Sequence, residues 1–474
     1  MRKHFVCLAS IGLAGCSVSQ PYTQPIAPIG AAYPYAEGEG SRTAATIGWQ
    51  EFFGDPRLKV YIATALENNR DLAASVARIA AARAQYRIQN AQRLPQLDLG
   101  GGAARSRVPL ATGGGAGAFT GNQFDVSASV SAFELDFWGR VRNLSEAARA
   151  NYLGTVEASR AFRLSLIADV ASTYLSMRAG EERIALARRS LTSRQEGLEI
   201  AKLRLDAGVT STIDYDQSLS LVTQAETTLA EIERTTAQTN NQLLVLIGGP
   251  IADALPAPRA IDDQGQFASL DPGLPSELLI SRPDIREAEQ ALRAADANIG
   301  AARAAFFPTI SLTGAFGFAS AALGDLFKGA SQSWSFGGGL GLPVFDGGRR
   351  SADLARTKAL REEAVAKYQK AVQVAFREVS DGLAGRKFYA DQIAAQVRAV
   401  AAQRRLAETA RLRYDNGITI YLEVLDAERN LFDAEQQLTA LRSVALQNDV
   451  SLYVALGGGP DGSVGFAFPG SPSP

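Results

Sequence analysis

The chain has 474 residues, of which 48 are Lys or Arg, 49 are Asp or Glu, one is histidine and two are cysteine. This balanced charge, without a basic run interleaved with aromatic residues, argues against nucleic-acid binding. The length is enough for two or three ordinary domains.

The first predicted element is a secretory signal at residues 1–15. It has a basic start, an apolar stretch over residues 5–13 and small residues before Cys16, and it is too short to span a bilayer. Its end, LAGC, resembles the bacterial lipobox, which predicts N-acyl diacylglycerol with palmitate on Cys16. Ser17 then favours anchoring in outer-membrane lipid. The alternative is a plain signal peptide followed by an incidental cysteine.

The histidine and both cysteines of the chain, His4, Cys7 and Cys16, lie within the first sixteen residues. Removal of the signal and acylation of Cys16 would leave neither histidine nor a free thiol. Zinc sites of Cys and His, Cys–His dyads and Ser–His–Asp triads would then be excluded. We therefore expect no metal, no cofactor besides the lipid, and no enzyme activity.

The rest of the chain contains an internal repeat. KLRLDAGVTSTIDYDQSL begins at Lys202 and RLRYDNGITIYLEVLDAE at Arg411, so that Gly417 follows Gly208 by 209 residues (417 − 208 = 209). Such self-similarity indicates one supersecondary unit used twice. In each unit, proline-free runs predict a short helix, a long helix of about 100 Å and a returning helix. These helices are predicted at 65–93, 140–205 and 213–247, and again at 284–307, 349–414 and 422–456.

The returning helices repeat their core-type residues every seven positions. The first copy has Tyr215, Val222, Leu229, Thr236 and Leu243, and the second has Val424, Leu431, Leu438, Ala445 and Leu452. A seven-residue seam predicts antiparallel coiled-coil packing of each helical hairpin. For either helix alone, an ordinary amphipathic helix is the alternative.

Four segments between the helices alternate apolar and small polar residues with a period of two. They contain Phe124 to Val130, Ile310 to Phe318, Trp334 to Leu342, and a weaker stretch that begins at Leu97. Strands of about 10 residues with one apolar face fit the wall of a transmembrane β-barrel, and a soluble antiparallel sheet has the same pattern.

Four strands cannot close a barrel, and an open sheet edge cannot face hydrocarbon. Two chains would supply eight strands, a barrel that side chains fill, whereas three chains would supply twelve and leave room for a channel. A pore therefore predicts a homotrimer with a 12-stranded β-barrel, four strands per chain.

These features together resemble the TolC family of outer-membrane efflux channels, in the lipoprotein branch typified by OprM and NodT. The resemblance also rests on SRPDIREAEQALRAADANIGAARAAFFPTISL from Ser281 and LPVFDGGRR from Leu342. It implies a mainly α fold with a transmembrane β part, in which the trimeric barrel continues into a periplasmic α-helical coiled-coil barrel. It also implies a passive exit duct of a tripartite pump, with an adaptor protein and an inner-membrane transporter, often of the RND type, as partners.

The resemblance further implies that the two glycine turns are the periplasmic tips, where the channel is gated and the adaptor docks. The docking residues would be Gly208, Val209, Gly417 and Ile418, and the gate residues Leu422, Glu423, Asp426, Asp214 and Tyr414. A ring of Asp426 would attract cations, and the alternative for Glu423 and Asp426 is a solvated helix start. Thr419 stands where the family's tip tyrosine has its basic partner, so no arginine latch through that position is implied.

The predicted organisation follows the repeat, with strands at about 96–137 and 309–345. It consists of a signal peptide (1–15), an N-terminal linker (16–55), the first repeat (56–249), an equatorial linker (250–280), the second repeat (281–458) and a C-terminal tail (459–474). Two other functions stay open at this stage. One is a periplasmic adaptor lipoprotein, which has one coiled-coil hairpin, and the other is a carboxylate-pair hydrolase, for which no clustered acids are found.

Overall fold

The computed structural model describes residues 22–35, 47–109, 118–251, 254–264, 270, 273 and 275–459. The signal peptide, Cys16 and the tail from residue 460 lie outside the described residues. The elements are α1 (Trp49–Phe52), α2 (Pro56–Asn68), α3 (Arg70–Ala91), β1 (Asp98–Pro109), β2 (Ala118–Glu134), α4 (Arg140–Asp206), α5 (Thr212–Ile247), α6 (Leu278–Ser281), α7 (Pro283–Ala304), β3 (Thr309–Ser320), β4 (Gln332–Gly341), α8 (Arg349–Asp415) and α9 (Tyr421–Ala455). This order confirms the duplicated unit of helix, two strands, long helix and returning helix.

The chain forms two compact units, and each unit takes segments from both repeats. The first contains residues 79–156 and 287–368, and the second contains 157–286 and the chain from 369, together with 27–78. The predicted domain boundaries follow the repeats instead, and they stay a prediction.

The first unit contains one antiparallel sheet in the order β1-β2-β3-β4. Residues directly opposite one another share a face of the sheet. One row across the four strands is therefore apolar, and the next row is polar or small. The apolar row is Leu99, Ala128, Phe316 and Trp334, and the adjacent row is Asp98, Ser129, Ala315 and Ser335.

The apolar face of this sheet is uncovered in the protomer. Trp334, Phe336 and Leu340 are 77%, 74% and 73% exposed. A soluble sheet would bury such a face against its core, so the soluble-sheet alternative does not fit. An uncovered apolar face of this kind suits contact with lipid.

Strand β2 is longer than the predicted 10 residues, because it runs over the 17 residues Ala118–Glu134. Its register against β3 shifts between Val130 and Phe133, where Ala132 has a φ of 50°. This is a bulge, in which one strand carries an extra residue and twists more strongly. A period-two pattern does not reveal such an insertion.

The helices of the first unit approach closely through small side chains. Ala147 and Ala150 of α4 form a buried cluster with Ala294 and Ala297 of α7. Alanine at the contact brings two helix axes near each other, in the same way that small residues do in other close helix pairs.

One helix prediction is wrong in part, because the helix expected at 65–93 is two helices, α2 and α3. The break lies at Asn69, whose side chain accepts a hydrogen bond from the N–H of Leu72 (2.9 Å) and donates to the carbonyl of Leu246 (2.8 Å). Asn69 therefore caps the new helix and ties it to α5. The composition of the segment is helical throughout, so the tertiary contact is what ends α2.

The long and returning helices agree with their predicted ends to within one residue. In the second unit each pair runs antiparallel, with Gly180 of α4 opposite Thr236 of α5 and Gly382 of α8 opposite Leu452 of α9. Of the predicted seam of α5, Val222 and Leu243 are buried, whereas Tyr215, Leu229 and Thr236 are half-buried. A second buried row, Ser218, Ala225 and Ile232, also repeats every seven residues. In the described residues, no helix is both long and apolar enough to cross a bilayer.

Candidate functional site: the hairpin tips

Each helical hairpin of the second unit ends in the same kind of turn. We call residues 206–214 the first tip and residues 415–423 the second tip. At the first tip the N–H groups of Gly208 and Val209 donate to the carbonyls of Leu205 and Arg204, both at 2.9 Å. At the second tip, Gly417 and Ile418 donate to Tyr414 and Arg413, at 2.9 and 2.8 Å. Both are Schellman motifs, which satisfy the last carbonyls of a helix.

The glycine in each turn is required by the backbone alone. Gly208 and Gly417 have φ values of 70° and 71°, which only glycine adopts without strain. A Cβ at either position would meet no atom within 4 Å. The predicted turn residues therefore lie at the ends of the hairpins, and they are open to solvent.

The carboxylate after each turn is held by the threonine of the same turn. Asp214 accepts hydrogen bonds from Thr210 and, at 3.5 Å, from the hydroxyl of Ser211. The hydrogen bond from Thr210, followed by that from the backbone N–H of Ser211, lowers the pKa of Asp214. Asp214 is therefore an ionised side chain at the start of α5, where the helix dipole favours it.

The second tip holds its acid with two partners. Glu423 accepts hydrogen bonds from Thr419 and forms an ion pair with Arg413, with Nη1 and Oε1 2.6 Å apart. Thr419 stands where the family pattern has a basic residue. Here its hydroxyl donates a hydrogen bond to the Glu423 carboxylate. In the described residues, no hydrogen bond joins Thr419 to Tyr414.

An arginine does reach Tyr414, but from the other hairpin. Arg204 of α4 donates from Nη1 to the Tyr414 hydroxyl at 3.2 Å, and its guanidinium carbon lies 5.8 Å from the centre of the tyrosine ring. The Tyr414 ring also contacts Tyr421, with ring centres 4.9 Å apart. Tyr414 is therefore the one predicted gate residue at which the two hairpins meet.

Tyr421 lies against a notch in α4. A Cβ added at Gly197 would be 2.0 Å from the Tyr421 hydroxyl oxygen, so no other residue fits there without a shift. The hydroxyl is buried and, within the described residues, has no hydrogen-bond partner. Burial raises the pKa of Tyr421 to about 12, with the charge of Glu428 as the next cause.

The two hairpins enclose a groove of about 500 Å³ between their tips. Its walls include Arg204, Asp214, Tyr414, Tyr421 and Leu422. The apolar residues that follow the glycines, Val209 and Ile418, are 68% and 67% exposed. Exposed apolar side chains beside a groove are typical of a surface that a partner covers.

Two further predicted gate residues, Leu422 and Asp426, lie one turn apart on the same side of α9. Both are exposed in the protomer. Asp426 forms only a local ion pair, with Arg429 at 3.2 Å. Within the described residues Asp426 has no ion pair with another helix, and the roles of Leu422 and Asp426 stay a prediction.

Above the tips, α4 and α9 are joined by polar contacts. Ser193 donates to Glu428 at 2.7 Å, and Arg183 donates to Gln436 at 2.6 Å, while Gln436 donates back to the Arg183 carbonyl at 3.0 Å. Side chains of this kind fix the register of two helices more than they stabilise them.

The sequence reasoning missed Arg204, Arg413, Tyr421 and Gly197 as residues of this site. Both arginines belong to the repeated motif Leu-Arg-x-Asp-x-Gly, so a role for them could have been suspected from the repeat. Tyr421 and Gly197 gave no such signal, because their contact joins different helices. No group of three or more His, Cys, Asp or Glu in the described residues is placed to hold a metal ion.

Comparison with known proteins gives consistent matches along the chain. A family model described as outer membrane efflux protein matches residues 61–249 and 274–458. The toluene efflux pump outer membrane protein TtgF of Pseudomonas putida is 42% identical, over 97% of this chain and 98% of its own. The cation efflux system protein CusC of Escherichia coli is 38% identical, over 96% and 97% of the two chains.

Solved structures agree with these relatives. The open state of the MtrE outer membrane channel of Neisseria gonorrhoeae superposes with a TM-score of 0.85 at 36% identity. The match covers 94% of this chain and 98% of that one. The shared fold thus extends over both repeats.

Proposed function

The chain belongs to the outer membrane efflux protein family, and from that membership we propose how it works: three copies close one barrel and conduct small molecules passively to the exterior. The chain is the outer-membrane component of a tripartite efflux pump, and it is a channel rather than an enzyme. Its partners are the periplasmic adaptor and the inner-membrane transporter of that pump. The adaptor interpretation finds no support, because the family matches both repeats.

The main support for a trimer is the four-stranded sheet, which has one uncovered apolar face and two open edges. In the described residues β1 and β4 each pair on one side only. Backbone groups at such edges must be paired in a membrane. Three copies of a four-stranded sheet supply twelve strands (3 × 4), which leave a channel open inside.

Charge placed on the two faces of β4 tests this wall. Phe336→Arg puts a cation on the apolar face, which costs about 2–4 kcal/mol at the middle of a bilayer, so the amount of heat-resistant trimer in the outer membrane should fall sharply. Ser335→Arg puts the same charge on the polar face and is the matched control. Equal losses for both variants would contradict a lipid-facing wall.

The lipid anchor at Cys16 is a separate proposal, supported by the lipobox alone. Intact-mass analysis of the purified protein should show a chain that begins at Cys16 and carries N-acyl diacylglycerol. Cys16→Ser should abolish the added mass. A mature chain that begins at another residue would remove the proposal without affecting the channel.

The tips are proposed as the gate and as the adaptor-docking surface. Three protomers would place Leu422 and Asp426 around one axis, where facing carboxylates attract cations. We expect Asp426→Ala to increase the leak and to weaken cation preference in planar-bilayer recordings. Arg429→Ala, which removes only the local partner of Asp426, should keep cation preference. Unchanged selectivity of Asp426→Ala would defeat this assignment.

The transporter partner is proposed to be of the RND type, and cargo selection is assigned to it. The two relatives compared above, TtgF and CusC, are both similar to this chain along their length. One is named for toluene efflux and the other for cation efflux. Because similar outer-membrane channels belong to pumps for such different cargoes, we assign selection of the cargo to the transporter and not to the channel. Cross-linking from cysteines placed at Val209 and Ile418, followed by identification of the captured proteins, tests the partners. Capture of an adaptor with a transporter of another class would correct the RND assignment.

A further inference from the structure

We propose that Arg105 and Arg107, near the outer end of strand β1, bind a phosphate group of lipopolysaccharide, the glycolipid of the outer leaflet of an outer membrane. Both arginines, and the β2 residues opposite them, belong to the first unit. The site lies on the face of the sheet that we assign to lipid, and to that extent it rests on the proposed function.

The two ends of the sheet differ in what they join. Strands β1 and β3 begin after α3 and α7, and strands β2 and β4 end before α4 and α8. All four helices therefore join the same end of the sheet, and in the channel this is the periplasmic end. The opposite end of the β1–β2 pair, where Pro109 lies opposite Ala118, is the end at the outer leaflet.

The polarity of the β1–β2 pair reverses towards that outer end. On the apolar face, where opposite residues lie side by side, the pairs in order are Leu99–Ala128, Gly101–Val126, Ala103–Phe124, Arg105–Asn122 and Arg107–Thr120. On the other face, small and polar pairs are followed by Val108–Phe119, which are 53% and 64% exposed. An arginine is costly in the middle of the hydrocarbon and tolerated near its boundary. The apolar band therefore ends between Ala103 and Arg105.

Neither arginine has an anionic partner within the described residues. Both are exposed, and neither forms a hydrogen bond or an ion pair there. The sequence that joins the two strands, LATGGGAG, contains no acid. Asp125 is on the other face of the sheet, and Asp325, the acid between β3 and β4, pairs with Lys328. The outer end of the apolar face therefore carries two positive charges that no described carboxylate neutralises.

The side chains of this face suit a phosphorylated sugar. Residues two apart on a strand are about 7 Å apart, so two guanidinium groups can hold one phosphate from two sides, and guanidinium matches the geometry of phosphate. Asn122 and Thr120, opposite the arginines, offer neutral hydrogen-bonding groups to sugar hydroxyls. The membrane part of lipopolysaccharide is a phosphorylated disaccharide, and it lies in the outer leaflet. Its chemistry and its position both fit.

Lipid A, the phosphorylated disaccharide part of this glycolipid, is the probe. Native mass spectrometry measures its binding to the purified, heat-resistant protein in detergent, beside that of dephosphorylated lipid A. The wild-type protein should bind the phosphorylated form more tightly. Arg105→Gln and Arg107→Gln should each raise the dissociation constant about fivefold, and the double variant about 25-fold, which is the effect of one and of two cations at an anionic lipid surface.

Two control variants separate a site from a general effect of charge. Adding Ala104→Arg and Ser106→Arg to the double variant restores the net charge, but it moves each arginine by one residue and so to the other face of the strand. This shifted variant should bind lipid A as weakly as the double variant. Arg349→Gln removes an exposed arginine at the periplasmic end, at the start of α8, and should bind like the wild type. All variants are compared at equal yields of heat-resistant protein.

The same proteins are then recorded in planar bilayers. Unchanged lipid A binding in the double variant, or full binding in the shifted variant, would overturn the site. Equally tight binding of phosphatidylglycerol would overturn its assignment to the glycolipid. If the wild-type protein forms no channel, the proposed function fails, while the preference for phosphorylated over dephosphorylated lipid A still tests the site. If the double variant conducts like the wild type and binds lipid A weakly, both stand.

Discussion

The two long helices, α4 and α8, arise from the same repeat and have the same 67-residue length, yet their C-terminal halves lie in different surroundings. The end of α4 contacts α5 through Gly180 and Thr236, and α9 through Arg183 and Gln436. The end of α8 contacts α9 through Arg413 and Glu423, and α4 through Tyr414 and Arg204. In the contacts of the described residues, α4 therefore meets both returning helices, whereas α8 meets one of them.

The two long helices also differ in how many large apolar side chains they expose to solvent. Among large apolar residues in the described part of α4, only Leu203 is exposed, whereas α8 exposes Leu360, Phe388, Val397, Leu406 and Leu412. A repeated sequence thus specifies the same helix twice without giving both copies the same neighbours.

The largest effect should come from exchanging equivalent residues of the two helices, Gly197 and Leu406. Gly197→Leu forces a side chain into the space of Tyr421, and overpacking of this kind costs about 1–3 kcal/mol or more. Leu406→Gly costs about 1 kcal/mol through helix propensity. Thermal unfolding of the two purified variants should show the larger loss for Gly197→Leu. Equal losses would mean that the notch is not a close contact.

A second exchange concerns Arg194 of α4 and its equivalent Gln403 of α8. Arg194 is 8% exposed, donates to the carbonyl of Leu221 at 2.9 Å, and lies where burial lowers its pKa. Arg194→Gln should cost about 1–3 kcal/mol, because Leu221 and the nearby Asp433 lose their cationic partner. Gln403→Arg, on α8, should change stability by less than about 0.5 kcal/mol. Denaturant unfolding of both variants measures the difference.

In contrast to the equivalent residues of α4 and α8, the two turn glycines should respond equally to substitution. Gly208→Ala and Gly417→Ala each place a Cβ at a φ near 70°, at a cost of about 1 kcal/mol. Because neither side chain would meet an atom within 4 Å, the two losses should be equal. Hydrogen exchange of the two turn peptides is the readout, and unequal protection would show that one tip has a contact that the other lacks.

The smallest effect is the pH dependence of the first tip. The folded-state pKa of Asp214 is lowered, first by Thr210. The stability that this carboxylate contributes is therefore present above its ordinary pKa of about 3.9 and is lost as the pH falls through the lowered value. In Thr210→Val the pKa of Asp214 should return towards its ordinary value, so the loss should be smaller and should be complete at a higher pH. Exchange of the 206–214 peptide between pH 3 and 6, corrected for intrinsic rates, tests this, and coincident profiles would contradict it.

Much of the fold could be predicted because its signals are local. Proline-free runs and glycine turns predicted the helix ends around Gly208 and Gly417, and period-two alternation predicted β3 and β4. The predictions failed in part where a distant contact decides. Asn69 ends α2 through the carbonyl of Leu246, 177 positions away, and the bulge at Ala132 depends on its pairing with β3.

The sequence by itself determined a doubled unit, its long helices, its turn glycines and a sheet with one apolar face, because each of these depends on neighbours a few residues apart. Only the tertiary structure decided that α4 meets both returning helices, whereas α8 meets α9. It also decided that Arg204 donates a hydrogen bond to Tyr414, 210 positions along the chain. Equivalent residues carry equal local preferences, but the packing of one copy against the other gives them different partners.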